Sequence, residues 1–151
     1  MALFQYSDQQ FPKRIVLIGR GRSEEFYADG AITPGQLLKI NSAGNTIVHA
    51  TAGGAAEAMF AVEDALQART LDDAYAVGDR VSTHIADRGD VIYGWLADNE
   101  HVVAGDFLAS AGNGDVRKKQ SSDIAIGVAL EAVDLTASAN TAHGRLRLRV
   151  L

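Results

Sequence analysis

A chain of 151 residues, 47% of them hydrophobic, is long enough to bury one core, and with no Cys it can build neither a disulfide framework nor a thiolate metal site. Its net charge of −5 is unevenly spread, since residues 1–22 set four basic side chains against Asp8 and residues 140–151 carry three arginines and no acid, leaving a strongly acidic middle. That distribution excludes the continuous basic surface on which nucleic-acid binding rests.

The N-terminal stretch "MALFQYSDQQFPKR" is polar, with Phe4, Tyr6 and Phe11 widely spaced and Pro12 near its end. It reads as an arm over residues 1–13 that is poorly ordered alone, preceding one β-rich domain over residues 14–151. It has no apolar signal-peptide core, and no apolar run in the chain approaches a bilayer span, so a soluble protein made in the cytoplasm is expected. "KRIVLIG" is compact and β-branched, a strand. "GRGRSEEFYADGAITPG" reads as connection and turn, with Pro34-Gly35 favouring type II. "LLKI" and "TIVHA" form a hairpin through Asn41 to Asn45. "TAGGAAEA" is a small-residue loop, and "MFAVED" is a strand.

"QARTLDDAYAVGD" holds one helical turn at most, with Thr70 placed to cap it and Asp72 and Asp73 near its start. "RVSTHIA" and "VIYGWLA" are a strand pair about the turn "DRGD", and "DFLAS" and "VRKK" make a second hairpin. "IAIGVALEAV" alternates, with Ile124, Ile126, Val128 and Leu130 on one face and Ala125, Gly127 and Ala129 on the other. The small face fits either a covering large residue, such as Trp95 or Phe107, or close approach of another backbone. In "RLRLRVL", Leu146, Leu148 and Val150 are expected inward, with Arg147 and Arg149 outward. No long stretch has a 3.6-residue apolar period, so the class is mainly β with short helical turns.

One phrase occurs twice, as "GQLLKINSAGN" from Gly35 and "GDFLASAGNGDV" from Gly105, with a truncated third copy in "AVGDRVSTHI". Gly before a short strand and Ala-Gly-Asn after it are turn chemistry, which hairpins share for mechanical reasons without any internal duplication. The loops around Asn45 and Asn113 are candidates for the ends of the molecule.

Catalytic signatures do not emerge. His49, His84, His101 and His143 lack metal-ligand spacing, and no nucleophile elbow, P-loop or zincin motif occurs. Glu63, Asp64, Asp72, Asp73 and Asp79 form an acidic stretch, but most flank turns, where Asp serves local hydrogen bonding. "LDDAYAVGD" distantly resembles the uridine-binding motif of trimeric dUTP pyrophosphatases through Asp72 and Tyr75. It lacks that motif's glycines, with Val77 at one of their places, and the family's other motifs are missing. A carrier-domain reading fails because neither hairpin tip offers a Lys, and Arg88-Gly89-Asp90 reads as a turn.

The order of elements carries the resemblance. "ADGAITPGQLLKINSAGNTIV", "FAVEDALQARTLDDAYAVGDRV", "VVAGDFLASAGNGDVR" and "IAIGVALEAVDL" follow in the series found in the capsid decoration, or cement, proteins of tailed bacteriophages, and the chain over about residues 28–151 resembles these relatives of the phage lambda head decoration protein. The resemblance implies a compact single-domain, barrel-like β-tulip that assembles as a homotrimer on the outer capsid surface of the virion. It further implies a non-catalytic role, no cofactor or metal, and the major capsid protein as partner, with neither nucleic acid nor membrane bound. The arm is the expected capsid-binding instrument, through Phe4, Tyr6, Phe11, Lys13 and Arg14. The contrary reading tucks Phe4 and Phe11 into the protein's own core.

Overall fold

The computed structural model describes residues 11–136 and 144–151. Its strands are β1 (Val16–Ile18), β2 (Arg22–Tyr27), β3 (Leu37–Ile40), β4 (Thr46–Val48), β5 (Met59–Ala61), β6 (Arg80–Ile85), β7 (Val91–Trp95), β8 (His101–Val102), β9 (Phe107–Ser110), β10 (Val116–Lys118), β11 (Gly127–Ala129), β12 (Val133–Asp134) and β13 (Arg145–Val150). One 3₁₀ turn, Ala65–Gln67, lies between β5 and β6. The protein is mainly β and antiparallel throughout its ladders, as the turn spacing implies. A six-stranded sheet runs β1-β7-β13-β11-β9-β10, a five-stranded sheet runs β2-β6-β5-β3-β4, and β8 pairs with β12.

Without β1, the two large sheets are the same object. The series β2, β3, β4, β5, β6 and the series β7, β9, β10, β11, β13 are laid down in the same spatial order. In each, the residue just after the first strand makes one parallel bridge to the start of the hairpin's second strand, Ala28 to Thr46 and Leu96 to Val116. The matching extends to single bonds. The Gly35 amide donates to the Ala61 carbonyl and the Gly105 amide to that of Ala129, each at 2.8 Å, while Asn41 N–H reaches Asn45 O and Ala111 N–H reaches Asp115 O, each at 2.9 Å. The duplicated phrase is therefore the visible part of a tandem repeat of whole five-stranded units, not a coincidence of turn chemistry. Gly44 is matched by Gly114, both at positive φ, so the literal match "SAGN" lies two residues out of structural register.

Each unit has an equivalent inner face. Ala28, Ile32, Leu38, Met59, Ala61, Tyr75 and Val81 fill the first. In the second, Leu96, Val102, Leu108, Ala129, Val133 and Leu146 belong to a larger cluster that also takes Ile15, Leu37 and Phe60 from the first unit's side. That shared cluster joins the units. The sheets curl, but one bridge each does not close them, so the barrel-like form is partial.

Several local expectations hold. Thr33 to Gln36 is a type II turn, with Gly35 at φ +97° and the Gln36 amide on the Thr33 carbonyl. Both hairpins form, and β13 buries Leu146, Leu148 and Val150. Others are corrected. "RSEEFY" is no connection but a six-residue edge strand, β2, whose charged side chains suit an exposed sheet border. β6 and β7 do not pair with each other, because the turn Asp87–Asp90 carries the chain from one sheet to the other. The helical turn begins at Ala65, and Thr70 forms a local turn with Asp73 instead. The alternation around β11 lasts three residues only. Ile124 is exposed, while a side chain on Gly127 would come within 3.0 Å of the Arg149 carbonyl. At Gly127 the small face thus serves approach of the chain's own β13.

Candidate functional site

The seam between the two units contains the most unusual chemistry. Arg145 opens β13 opposite Trp95 on β7, and its guanidinium lies 4.1 Å from the centre of that ring. It is buried, and it donates to the carbonyls of Pro34 at 3.0 Å and Leu71 at 2.6 Å and to the Asp72 carboxylate at 2.9 Å. The Trp95 indole N–H reaches the same Pro34 carbonyl at 2.9 Å. Nearby, a His49 ring nitrogen lies 2.7 Å from the Ser110 hydroxyl, and Gly114 exchanges backbone bonds with Leu37 and His49. Apart from the Arg145–Trp95 stack, which lies within the second unit, each of these contacts crosses from first unit to second. The second hairpin's loop is therefore partly clasped by the first unit, with Ser110 and Gly114 buried and Asn113 left exposed, whereas Ser42, Ala43 and Gly44 in the first are all exposed.

Beside this seam runs an open cleft lined by Phe11, Lys13, Arg14, Arg69, Asp72, His84, Tyr93, Trp95 and Arg145 among others. The arm's root is fixed here. Ile15 is fully buried, its amide donates to the Glu63 carboxylate at 3.0 Å, and its carbonyl accepts from the Tyr93 amide at 2.8 Å. The structure brings Phe11, Lys13 and Arg14 together at the cleft with exposed side chains, and Phe11 is not a core residue. Phe4 and Tyr6 lie outside the described residues, as does His143.

A second polar centre pins the turn between sheets. The buried Asp90 carboxylate accepts from the amides of Arg20 at 2.8 Å, Gly21 at 3.0 Å and Asp87 at 2.9 Å, and from His84 Nε2 at 2.8 Å. Burial pushes this carboxyl upward, but the Asp87 amide, His84 and the amides of Arg20 and Gly21 outweigh it and hold it at about 2. The Asp of Arg88-Gly89-Asp90 is thus an internal fastener, unavailable as an exposed ligand.

The acidic stretch is spent on structural bonds, two of them long-range. Glu63 holds Ile15, Asp72 faces Arg145, Asp73 accepts from the Thr70 amide, and Asp79 accepts from the Ala76 amide. Tyr75 is buried in the first unit's core and its hydroxyl donates to the Val62 carbonyl at 2.7 Å, so Asp72 and Tyr75 build no nucleoside pocket. Among the described residues no cluster of three or more His, Cys, Asp or Glu could hold a metal ion, and no helix is long and apolar enough to cross a membrane. Sequence reasoning missed Arg145, counting it only toward the basic charge of residues 140–151; its one signal is the parallel with Arg80, which opens β6 opposite Tyr27.

No family model matches the chain, and no curated protein matches it. Among solved structures, the N-terminal base of the head fibre protein gp8.5 of bacteriophage phi29 superimposes with a TM-score of 0.56 at 12% identity, covering 86% of this chain and 93% of that one. The chain shares its fold with that solved structure. The likeness extends over both repeat units.

Proposed function

We propose that this chain is a structural component of a phage head, a non-catalytic decoration or cement protein that binds the outer surface of the expanded shell as a homotrimer at threefold and quasi-threefold sites. The observation that carries the reading is the fold shared with a phi29 head-fibre base over 86% of the chain. A protein that binds the expanded shell and not its precursor stabilises that shell by linkage, and three joined copies engage with high effective concentration. The arm, residues 1–13, supplies the grip on the major capsid protein. Its root is held rigidly by Ile15, while Phe11, Lys13 and Arg14 stand exposed at the cleft. Residues 14–151 are the β-rich domain that carries the arm in this reading.

The test is co-sedimentation of purified protein with expanded heads of the same phage stripped of their decoration protein. Binding with raised resistance of the heads to heat is expected, and failure to sediment with them sinks the proposal. Deleting residues 2–12 should weaken binding and leave the melting profile of the domain intact; unchanged binding removes the arm from the account.

A further inference from the structure

The tandem repeat shows what one end of each unit is built to receive. In the second unit, that end is formed by Trp95, Ser110, the 112–114 loop and Arg145, and the first unit caps it with Pro34, Gly35, Leu37, His49 and Leu71. Ser110, Gly114 and Arg145 are buried in consequence. The first unit owns the same end, made by Tyr27, Ile40, the 42–44 loop and Arg80, and nothing among the described residues caps it. Tyr27 is 55% and Ile40 42% exposed, all of residues 42–44 are exposed, and a side chain on Gly44 would meet nothing within 4 Å. Arg80 stacks on Tyr27 as Arg145 does on Trp95, at 5.6 Å from the ring centre, and stays exposed.

The capping side is duplicated as well. Pro34, Gly35 and Leu37 of the first unit are buried against the second, whereas their equivalents Ala104, Gly105 and Phe107 are exposed, Phe107 by 51%. Val103, the chain neighbour of Ala104, is also 47% exposed. One chain therefore carries an uncovered receiving end on its first unit and an uncovered capping end on its second. Repeats that leave such ends open associate through them, since each unit buries its end only against a neighbour.

We infer that a second copy of this chain docks its Ala104–Phe107 surface on the Tyr27, Ile40 and Arg80 end of the first, repeating between chains the contact that joins the two units within one. In that contact the Ala104 carbonyl takes the place of the Pro34 carbonyl as an acceptor for Arg80, and Phe107 takes the place of Leu37 as the apolar plug. The contact is heterologous, with different surfaces on the two partners, so successive copies close a ring when the rotation permits. The inference deepens the self-association part of the function proposed above but rests on the repeat, and it is tested without any phage head.

Tyr27→Asp blocks the receiving end and Phe107→Asp the capping end; both positions are exposed, so circular dichroism should match the parent. Analytical ultracentrifugation of the parent chain at micromolar concentration should give an oligomer, and each variant alone a monomer. An equimolar mixture has one intact contact and should give a one-to-one heterodimer. Ile40→Lys and Val103→Lys form an independent pair that should behave the same way. A monomeric parent, either variant keeping the parent's oligomeric mass, or a mixture that stays monomeric overturns the inference. Loss of head binding by a correctly assembled protein would count against the cement role alone.

Discussion

The Arg145 guanidinium lies over Trp95 at 4.1 Å while satisfying the carbonyls of Pro34 and Leu71, so a single cation fastens the second unit to the first. Its counterpart Arg80 makes the equivalent stack on Tyr27 in solvent, with Glu25 at 3.2 Å. Burial decides what the two are worth. Arg145→Met leaves the Leu71 carbonyl without this donor and the Pro34 carbonyl with the Trp95 indole alone, and a loss of about 3 kcal/mol in urea unfolding is expected, with Arg145→Lys recovering little because an ammonium cannot reproduce the planar fork. Arg80→Met should leave the urea midpoint of the monomeric chain nearly unchanged, since exposed pairs contribute little. Equal losses at the two positions would show that the seam does not depend on Arg145.

Asp90 makes the fold acid-sensitive through one side chain. Four donors converge on its carboxylate and hold it at about 2, below its ordinary 3.8. A depressed carboxyl stabilises the native state above its unfolded value and ceases to as pH falls through the folded one. The contribution is therefore complete above about pH 4 and fades toward pH 2. Asp90→Asn keeps the shape but turns an amide N–H₂ toward donors, at an expected cost of about 2–4 kcal/mol at neutral pH. The gap between parent and variant in urea midpoint should narrow between pH 4 and pH 2. A gap that is constant with pH would assign the loss to shape alone.

The class, both hairpins, the Pro34-Gly35 turn and the inward face of β13 could be read from the sequence, because each is written in local terms, as turn residues at fixed offsets or alternation along one strand. β2 was illegible for a physical reason: an edge strand protects itself with charge, and Arg22, Glu24 and Glu25 hide its period. The full repeat was hidden because its units share strand order and closing bonds more than residues; Met59 in one is Gly127 in the other. Arg145 has the same place in the alternation as Arg147 and Arg149, and only the fold reveals that Leu71 and Pro34 cover it. Of the arm's candidate residues, Phe11, Lys13 and Arg14 meet at the cleft because Ile15 anchors them there, a long-range contact with Glu63 that no local pattern announces.

Asp115 acts in the opposite sense to Asp90. Burial, and then the charge of Asp98, push its carboxyl up to about 6, while a hydrogen bond from Gln36 across the seam partly opposes the shift. With the folded value above the unfolded 3.8, the native state is penalised as the group ionises, and the penalty grows between about pH 4 and pH 6. Asp115→Asn removes the charge and should stabilise the protein at pH 7.5 by on the order of 1 kcal/mol, with no gain at pH 3.5. Paired thermal melts at those two values check it; an equal change at both would mean the charge is not what matters.

Gly44 and Gly114 are a matched pair in which backbone conformation is held constant and surroundings differ. Both lie in the left-handed region, at φ +81° and +88°. An alanine at either costs about 1–2 kcal/mol for that conformation. At Gly114 the added methyl would also stand 3.0 Å from the Val48 side chain and 3.2 Å from Gln36 Cβ, where the backbone is bonded to Leu37 and His49; at Gly44 it meets open space. Gly114→Ala should therefore exceed Gly44→Ala by a further 1–3 kcal/mol or about that in urea unfolding of dilute protein, the usual cost of overpacking. The comparison also reports on assembly. Were Gly44 clasped by a neighbouring copy as Gly114 is clasped within the chain, Gly44→Ala would grow more damaging as protein concentration rises and the oligomer forms, while the Gly114→Ala penalty relative to parent would stay constant. A Gly44→Ala penalty independent of concentration would place that loop outside any contact between copies.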